Sequence, residues 1–356
     1  MTTQKHRLLY DPRKIRIQTA EPTISNLIQR MKLGEIDLSP GFQRNSNLWK
    51  VPQKSRLIES ILVKIPLPAF YVDATDDSNW IVIDGLQRLT ILREYVIEKS
   101  FVLSDLEFLD DCVGKNFDQL DRMYQRRIEE TQITVSKIEE GTNDQIKYAL
   151  FRRINTGGLP LSQQEIRHAL NQGRITDFLK KLSDLKPFFG APWNKKKKNR
   201  MEDRECILRF LSFYHYGVEK YPGDRAESDG TLDGFLNYCM KLFNNETDKV
   251  YENLKRKFIT AMDTATAIFG ENAFCRPSRP LNKAMFETWS VEIARLSKTE
   301  CEKLVSKKEG VYKKFLDLLE TDKKISDSFT SGTGQVGRVK CRFKAVRELI
   351  LQTIEK

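Results

Sequence analysis

The stretch WIVIDGLQRLTILREYV, residues 80–96, constrains the fold most, because its hydrophobic period changes at Asp84 and Gly85. Before them lies a short β-branched and aromatic run that is typical of a buried strand. From Leu86 to Val96 the apolar residues recur at intervals of three and four, which predicts a helix. The stretch therefore predicts a buried strand that delivers the chain directly to a helix.

The sequence around this stretch predicts a mixed α and β region. AFYVDAT and WIVIDG are separated by the turn signal DDSN and are interpreted as paired strands, and QITVSKIE is a further strand candidate. The segments with helical periodicity are TISNLIQRMKLGEI, QKSRLIESILVKI, NDQIKYALFRRINTGG and LSQQEIRHALNQGRI. The last opens with Ser162 and, three residues on, Glu165, which is the pattern of a capping box.

Beyond about residue 175 the pattern becomes almost entirely helical, with polar loops between the helical segments. The predicted fold class is α+β, with a small sheet in an N-terminal domain followed by an all-α C-terminal domain. We place the domains at residues 1–178 and 179–356. With 356 residues and 40% hydrophobic content, the chain is long and apolar enough for two cores.

The net charge of +11 is distributed unevenly between the two domains. Residues 1–178 contain 25 Lys and Arg against 24 Asp and Glu, whereas the remainder contains 35 against 25, so the balances are +1 and +10. A basic half can mark a nucleic-acid or polyphosphate partner, but spread-out Lys-rich helices are more often a solvated surface. Both interpretations remain open.

The six cysteines show no metal-ligand spacing, and no histidine accompanies them. Reduced thiols in a cytosol are the simplest interpretation, and no zinc site is expected. The N-terminus lacks a continuous apolar segment, and nowhere do 18 apolar residues follow one another. We expect a cytoplasmic protein without membrane association.

The residues at the strand-to-helix junction have chemistry of their own. The first N–H groups of a helix are unpaired and attract anions, phosphate above all. Gly85 permits close approach of the backbone, Gln87 supplies an amide, and Arg88 supplies a fork of donors. Asp84 would repel a bare phosphate, so a nucleotide with a metal ion or water beside Asp84 fits better. The structural alternative is that Asp84 caps the helix and pairs with Arg88.

Three stretches in order resemble one bacterial family, the N-terminal domain of GmrS/GmrD-type restriction systems for modified DNA. IVIDGLQRLTIL resembles its DGQQR motif, PGFQRNSNLWK its Phe-Gln-Arg and Trp box, and LFRRINTGGLPLSQQEIRHAL its third box. Together these stretches cover about residues 20–175. The departure is Leu86, which occupies a position where the family usually has Gln.

The resemblance implies a ParB/sulfiredoxin-like fold that binds a nucleoside triphosphate and, in relatives, hydrolyses it to control defence against foreign DNA. The cofactors implied are GTP, ATP or CTP, with Mg²⁺. Asp84, Gln87 and Arg88 are the candidate catalytic residues, and Asp84 is the candidate metal ligand. The candidate nucleotide-binding residues are Arg44, Trp49, Gly85, Leu86, Thr90, Asn155, Glu165 and Arg167. Leu86 lacks the amide of that Gln. The replacement weakens hydrolysis if the Gln side chain orients water in the family, and it has no effect if the residue at this position packs inward.

The other two boxes also have structural interpretations. In the functional interpretation, Arg44 clamps a phosphate and Trp49 stacks on a base. In the structural interpretation, Trp49 covers the core and Arg44 forms an ion pair on the surface. Asn155 precedes paired glycines at a helix end, where a sharp turn alone would explain them. His168 on the following helix is interpreted as structural rather than as a base.

Beyond residue 180 the chain has one histidine, His215, in an apolar helix, so the histidines of an HNH nuclease are missing. We therefore expect a separate nuclease subunit in a restriction system. A DNA-binding module without enzymatic activity is the alternative function, and a metal-dependent endonuclease a weaker one. NKKKKNRMEDR (194–204) and GQVGRVKCRFK near the C-terminus are candidate DNA-backbone contacts, and the sequence also allows a homo-oligomer.

Overall fold

The computed structural model describes residues 15–38, 49–154, 161–189, 200–223 and 228–355. The chain divides into two compact units, a sheet unit that ends at Ala169 and a helical unit that begins at Leu170. Each unit has its own hydrophobic core. The predicted α+β class is confirmed, with a small sheet followed by a helical region. The finer ParB/sulfiredoxin-like assignment stays a prediction.

The described part of the sheet unit contains one mixed sheet of five strands in the order β1-β5-β3-β4-β2. The strands are β1 (Ile17–Ala20), β2 (Ile36–Asp37), β3 (Phe70–Asp73), β4 (Trp80–Asp84) and β5 (Val135–Ile138). The predicted pairing of β3 with β4 is confirmed and is antiparallel. Because β2 runs parallel to β4, the C-terminal ends of these two strands lie at the same end of the sheet.

The sheet unit also contains the helices that the periodicity predicts, α1 (Ile24–Lys32), α2 (Val51–Leu62), α3 (Leu86–Leu92), α5 (Asp144–Ile154) and α6 (Gln163–Leu170). Helix α4 (Arg122–Glu130) was not predicted from the sequence. A π-helical turn, Arg93–Ile97, follows α3 directly, and 3₁₀ turns span Asp110–Cys112 and Phe117–Gln119. Thr23 caps α1, since its hydroxyl accepts from the Asn26 N–H.

The core of the sheet unit lies on one face of the sheet. The apolar stripes of α1 and α2 belong to this core, together with Phe70 and Val72 of β3. Side chains alternate between the faces of a strand, so Asp73 faces the opposite side. There its carboxylate is buried and pairs at 3.0 Å with the ammonium of Lys147 from α5.

The described residues of the helical unit form no strand, which confirms the predicted all-α character. The helices are α7 (Arg174–Ser183), α8 (Lys186–Phe189), α9 (Glu202–His215), α10 (Leu232–Asn244), α11 (Asp248–Phe269), α12 (Lys283–Arg295), α13 (Lys298–Ser306), α14 (Lys308–Thr321), α15 (Lys323–Thr330) and α16 (Val336–Ile354), with 3₁₀ turns at Val218–Lys220 and Gly270–Asn272. Within the described ranges, no helix is both long enough and apolar enough to span a membrane.

One predicted DNA contact, GQVGRVKCRFK, does not form a loop but enters α16. The Arg342 side chain is fully buried and pairs with Glu287, and Arg338 donates to the carbonyls of Asp327 and Ser331. Two cations of this run therefore already have acceptors within the helical unit. The other basic run lies outside the described residues from 194 to 199. His215 is held at 3.0 Å from the Glu246 carboxylate.

Candidate functional site

The strand-to-helix junction has the geometry that the sequence predicts. β4 ends at Asp84, Gly85 has a left-handed φ of +94°, and α3 begins at Leu86. A Cβ atom on residue 85 would lie 2.3 Å from Phe70 Cδ1, so the Phe70 ring would have to move. Glycine is therefore required twice, by the backbone angle and by the close approach of the Phe70 ring.

The helix that leaves this junction has no side-chain cap. Its first intrahelical bond runs from the Leu89 N–H to the Gly85 carbonyl, at 2.9 Å. The N–H groups of Leu86, Gln87 and Arg88 have no acceptor among the described residues. The interpretation of Asp84 as a cap is therefore wrong, and the N-terminal turn offers donors to an anion.

Arg88 is held by three acceptors. Its Nη2 lies 3.0 Å from Asp84 Oδ2 and donates to the Ala69 carbonyl at 3.1 Å, while Nη1 donates to the Pro68 carbonyl. The guanidinium also lies 4.2 Å from the centroid of the Phe70 ring. The ion-pair part of the structural alternative is thus confirmed, and Arg88 fixes both Asp84 and the segment that precedes β3.

Burial and the ion pair have opposite effects on the pKa of the Arg88 guanidinium. Desolvation lowers the pKa of the guanidinium, and the neighbouring Asp84 carboxylate opposes this change. The Arg88 side chain is 12% exposed, whereas that of Asp84 is 41% exposed. Asp84 is therefore the more accessible member of the pair, and its carboxylate can still meet a ligand.

The side chains of α3 next to this ion pair differ in how deeply they are buried. Leu86 is buried in the core of the sheet unit, so the inward-packing interpretation of this departure from the family pattern is confirmed. Gln87 is partly exposed, and its amide has no partner within the described part of the chain. Thr90 is buried one turn further along. Gln87 is the member of this group that is placed to contact a ligand.

Two predicted site residues, Arg44 and Asn155, lie outside the described residues. Trp49 is partly buried and packs against the core of the sheet unit, which agrees with its structural interpretation. The chain enters the segment that contains Arg44 from β2, at the edge of the sheet where Asp84 lies. The end of β2 and Asp84 therefore lie towards the same end of the sheet.

Two residues predicted from the third box, Glu165 and Arg167, lie on α6, and the capping box is confirmed. Glu165 accepts from the Ser162 N–H at 2.6 Å, and the Ser162 hydroxyl accepts from the Glu165 N–H at 3.1 Å. Glu165, Arg167 and His168 are all buried, and Arg167 donates to Gln164. Hydrogen bonds among the described residues do not join these side chains to Asp84 or Arg88.

The buried pair of Lys147 and Asp73, at the end of β3, was not predicted from the sequence. Asp73 also accepts from the Thr75 N–H at 3.0 Å, and Lys147 donates to the Thr75 hydroxyl. The signal was present in a strand that ends with aspartate and in a lysine that follows buried Ile146 on α5. Across the described ranges, no cluster of three or more His, Cys, Asp or Glu could hold a metal ion.

Comparison with known families identifies the sheet unit. Residues 24–171 match the family described as GmrSD restriction endonuclease, N-terminal domain. This part of the chain is similar to GmrSD-type N-terminal domains. Comparisons with curated proteins and with solved structures found no match. The Asp84–Arg88 junction lies near the middle of the matched segment, so it belongs to the part of the chain that resembles this family.

The contacts of Arg88 predict a loss of stability when they are removed. We expect Arg88→Ala to lower the free energy of unfolding of the sheet unit by about 2–3 kcal/mol, because a partly buried charge pair and hydrogen bonds to two carbonyls are lost together. Urea titration with hydrogen exchange over residues 70–92 measures it. Arg56→Ala is the matched control, since Arg56 pairs with Asp105 on the surface and is 52% exposed. Equal losses in both variants would contradict the clamping role of Arg88.

Proposed function

We propose that this protein binds a nucleoside triphosphate at the Asp84–Arg88 junction and hydrolyses it, as a regulatory component of a restriction system. The observation that carries the proposal is the uncapped first turn of α3, whose unpaired N–H groups lie beside a partly exposed carboxylate. Such a turn favours phosphate, and the carboxylate favours a phosphate that carries a metal ion or an attacking water.

Each residue of the junction has a different role in this proposal. The N–H groups of residues 86–88 bind phosphate oxygens, and the Gln87 amide contacts the same group. Asp84 would hold Mg²⁺, which then neutralises phosphate charge, since one carboxylate together with substrate phosphates is a common magnesium site. Arg88 acts as a positioning residue, because its donors already hold Asp84 and the carbonyls of Pro68 and Ala69.

Hydrolysis in this site requires a water molecule that attacks the terminal phosphorus. The new bond joins the water oxygen to phosphorus, and the bond from phosphorus to the bridging oxygen breaks. Asp84 would either accept the proton of this water directly or hold the Mg²⁺ that activates it, and the products are a nucleoside diphosphate and inorganic phosphate.

The GmrSD-type domain connects this chemistry with restriction. We propose that a separate subunit supplies the nuclease and that nucleotide turnover in this chain controls it. The histidine beyond residue 180, His215, supports this division of labour, because it is occupied by Glu246 and packs against Phe243. DNA binding by the basic half belongs to the same proposal.

The proposal predicts a specific loss of turnover in Asp84→Asn. The asparagine oxygen can still accept from Arg88, so the fold is retained, while the charge that holds Mg²⁺ or accepts the proton is lost. We expect the hydrolysis of GTP, ATP or CTP with magnesium to fall by about a hundredfold or more. Measurement of released phosphate tests this, with nucleotide binding measured separately by calorimetry.

Asp105→Asn is the matched control, because Asp105 pairs with Arg56 at 3.2 Å on the surface of the same unit. Gln87→Ala adds an independent test, since we expect weaker nucleotide binding without a loss of stability. Turnover that is unchanged in Asp84→Asn would refute the catalytic assignment. Binding of DNA, but of none of the three nucleotides, would favour the alternative in which the same turn grips backbone phosphate, with affinity that falls steeply with salt.

A further inference from the structure

A groove lies between the C-terminal end of α2 and helix α4, and its volume is about 780 Å³. Its walls are residues 61–67, which end α2 and lead towards β3, and residues 122–134, which form α4 and lead to β5. We call this feature the α2–α4 groove. Neither the junction at Asp84 nor any predicted site residue lines it.

The floor of the α2–α4 groove is apolar and partly open to water. Ile65 is 50% exposed and Met123 57% exposed, and both line the groove together with Pro66 and Leu67. Buried Ile61 continues this surface inward. Large apolar side chains that meet in one open groove mark an interaction site more often than single exposed residues do.

The rim of the groove is basic. Four cations line it, Lys64, Arg122, Arg126 and Arg127, against one carboxylate, Glu130. Arg126 pairs with Glu130 at 3.1 Å, but both side chains are at least 60% exposed, so the pair is weak and can exchange its partner. Arg122 likewise pairs with Glu129 at 3.1 Å, and its side chain is 66% exposed. An occupant with several carboxylates would therefore meet an excess of positive charge around an apolar floor and compete for these exposed ion pairs.

The wall beside α2 is fixed before any ligand arrives. Lys64 has a left-handed φ of +64°, and its N–H donates to the Ile61 carbonyl at 3.1 Å. The Ile65 N–H donates to the Ser60 carbonyl at 2.8 Å, which completes a Schellman motif. From α4, Arg127 donates to the Leu62 carbonyl at 2.8 Å. A preformed wall lowers the ordering cost of binding.

We propose that the α2–α4 groove binds an acidic segment of a partner protein, which places apolar side chains on Ile65 and Met123 and carboxylates against the basic rim. The apolar floor argues against DNA as the occupant, because protein–DNA interfaces are more polar and much more positively charged. An amphipathic helix with an acidic polar face has the matching chemistry.

The segment that forms one wall of the groove continues directly into the junction. Residues 64–67 line the groove, and the next two carbonyls, of Pro68 and Ala69, accept from Arg88. A partner that restrains this segment therefore also restrains the guanidinium that holds Asp84. We propose that docking regulates the junction in this way, a step that rests on the proposed function.

The first test measures docking without nucleotide. A short fluorescein-labelled peptide of glutamate and leucine is titrated with the full chain, beside a peptide in which lysine replaces glutamate. We expect binding of the acidic peptide alone, weakened by about tenfold or more in Ile65→Asp and in Arg126→Glu. Phe108→Asp and Arg56→Glu are the matched controls, because both residues are exposed and neither lines the groove.

Several results would overturn the docking proposal. They are no binding of the acidic peptide, equal binding of both peptides, or binding that Ile65→Asp leaves unchanged. Self-association that is lost in Ile65→Asp would identify the groove as an interface between two copies of this chain. A DNA duplex that displaces the peptide, and whose own binding is lost in Arg126→Glu, would assign the groove to nucleic acid.

The second test measures the link to the junction. Hydrogen exchange is followed over residues 64–73 and 84–92 with and without the acidic peptide, and we expect slower exchange in both segments. Docking with unchanged exchange over residues 84–92 and unchanged GTP affinity would refute the regulatory step alone. The nucleotide site is judged separately, by the turnover of Asp84→Asn without peptide.

Discussion

Gly85→Ala is expected to destabilise the sheet unit by about 3 kcal/mol or more. A non-glycine residue with left-handed backbone angles costs about 1–2 kcal/mol, and the angle here is +94°. The new methyl group would also lie 2.3 Å from Phe70 Cδ1 and 2.9 Å from Cε1, and overpacking adds about 1–3 kcal/mol. Urea titration with hydrogen exchange over residues 70–92 measures the loss.

Gly34→Ala separates the two causes of this loss. Gly34 also has a left-handed angle, +75°, but a Cβ atom there would meet nothing within 4 Å. We therefore expect the control to lose only the backbone part, about 1–2 kcal/mol. A loss in Gly85→Ala no larger than in Gly34→Ala would show that the Phe70 ring gives way at little cost. The proposed function adds that nucleotide binding falls in Gly85→Ala, because the N–H groups of residues 86–88 move with the junction.

The junction could be predicted from sequence because its determinants are local. A β-branched run, an Asp-Gly pair and a helical period are adjacent in the chain, and together they predict strand, turn and helix. The capping box of Ser162 and Glu165 is local in the same way. In both places neighbouring residues satisfy one another, so distant parts of the chain do not change the outcome.

The partners of Arg88 could not be predicted because two of them are backbone carbonyls. The carbonyls of Pro68 and Ala69 lie about twenty residues earlier in the chain, and any residue type would supply them. Sequence therefore suggested a phosphate-binding arginine, whereas the structure shows one held largely by the protein itself. The orientation of Leu86 was ambiguous because one position in the first turn carries little periodic signal.

Strands β1 and β2 were not predicted for a different reason. β1 is mostly exposed, so it lacks the alternation of a half-buried strand, and β2 has only two residues. Their conformation depends on pairing with β5 and β4, which come from distant parts of the sequence. Edge strands of this kind become visible only once the sheet exists.

The helical unit contains a chain of alternating charges that its net basic balance conceals. Lys283 pairs with Glu205, Glu205 with Arg209, Arg209 with Glu287, and Glu287 with Arg342. Burial alone would lower the pKa of Arg209, but the Glu287 and Glu205 carboxylates raise it above its ordinary value. Part of the basic excess of this half therefore serves its interior and is not displayed to a partner.

Glu287→Gln is expected to lower the free energy of unfolding of the helical unit by about 3–5 kcal/mol. The Glu287 side chain is fully buried between Arg209, at 3.0 Å, and Arg342. A neutral amide leaves two buried guanidinium groups without their shared anion, and breaking a buried pair in this way costs far more than losing a surface pair. Urea titration with hydrogen exchange over residues 283–295 measures the loss.

Glu348→Gln is the control for this change, because Glu348 is 56% exposed and lies 3.8 Å from Lys344 on the surface of α16. We expect a loss of no more than about 0.5 kcal/mol there. Comparable losses in the two variants would mean that water reaches Arg209 and Arg342 and screens them. A large loss confined to Glu287→Gln would instead locate these arginines in the interior, so that DNA binding by this half would have to use its other basic residues.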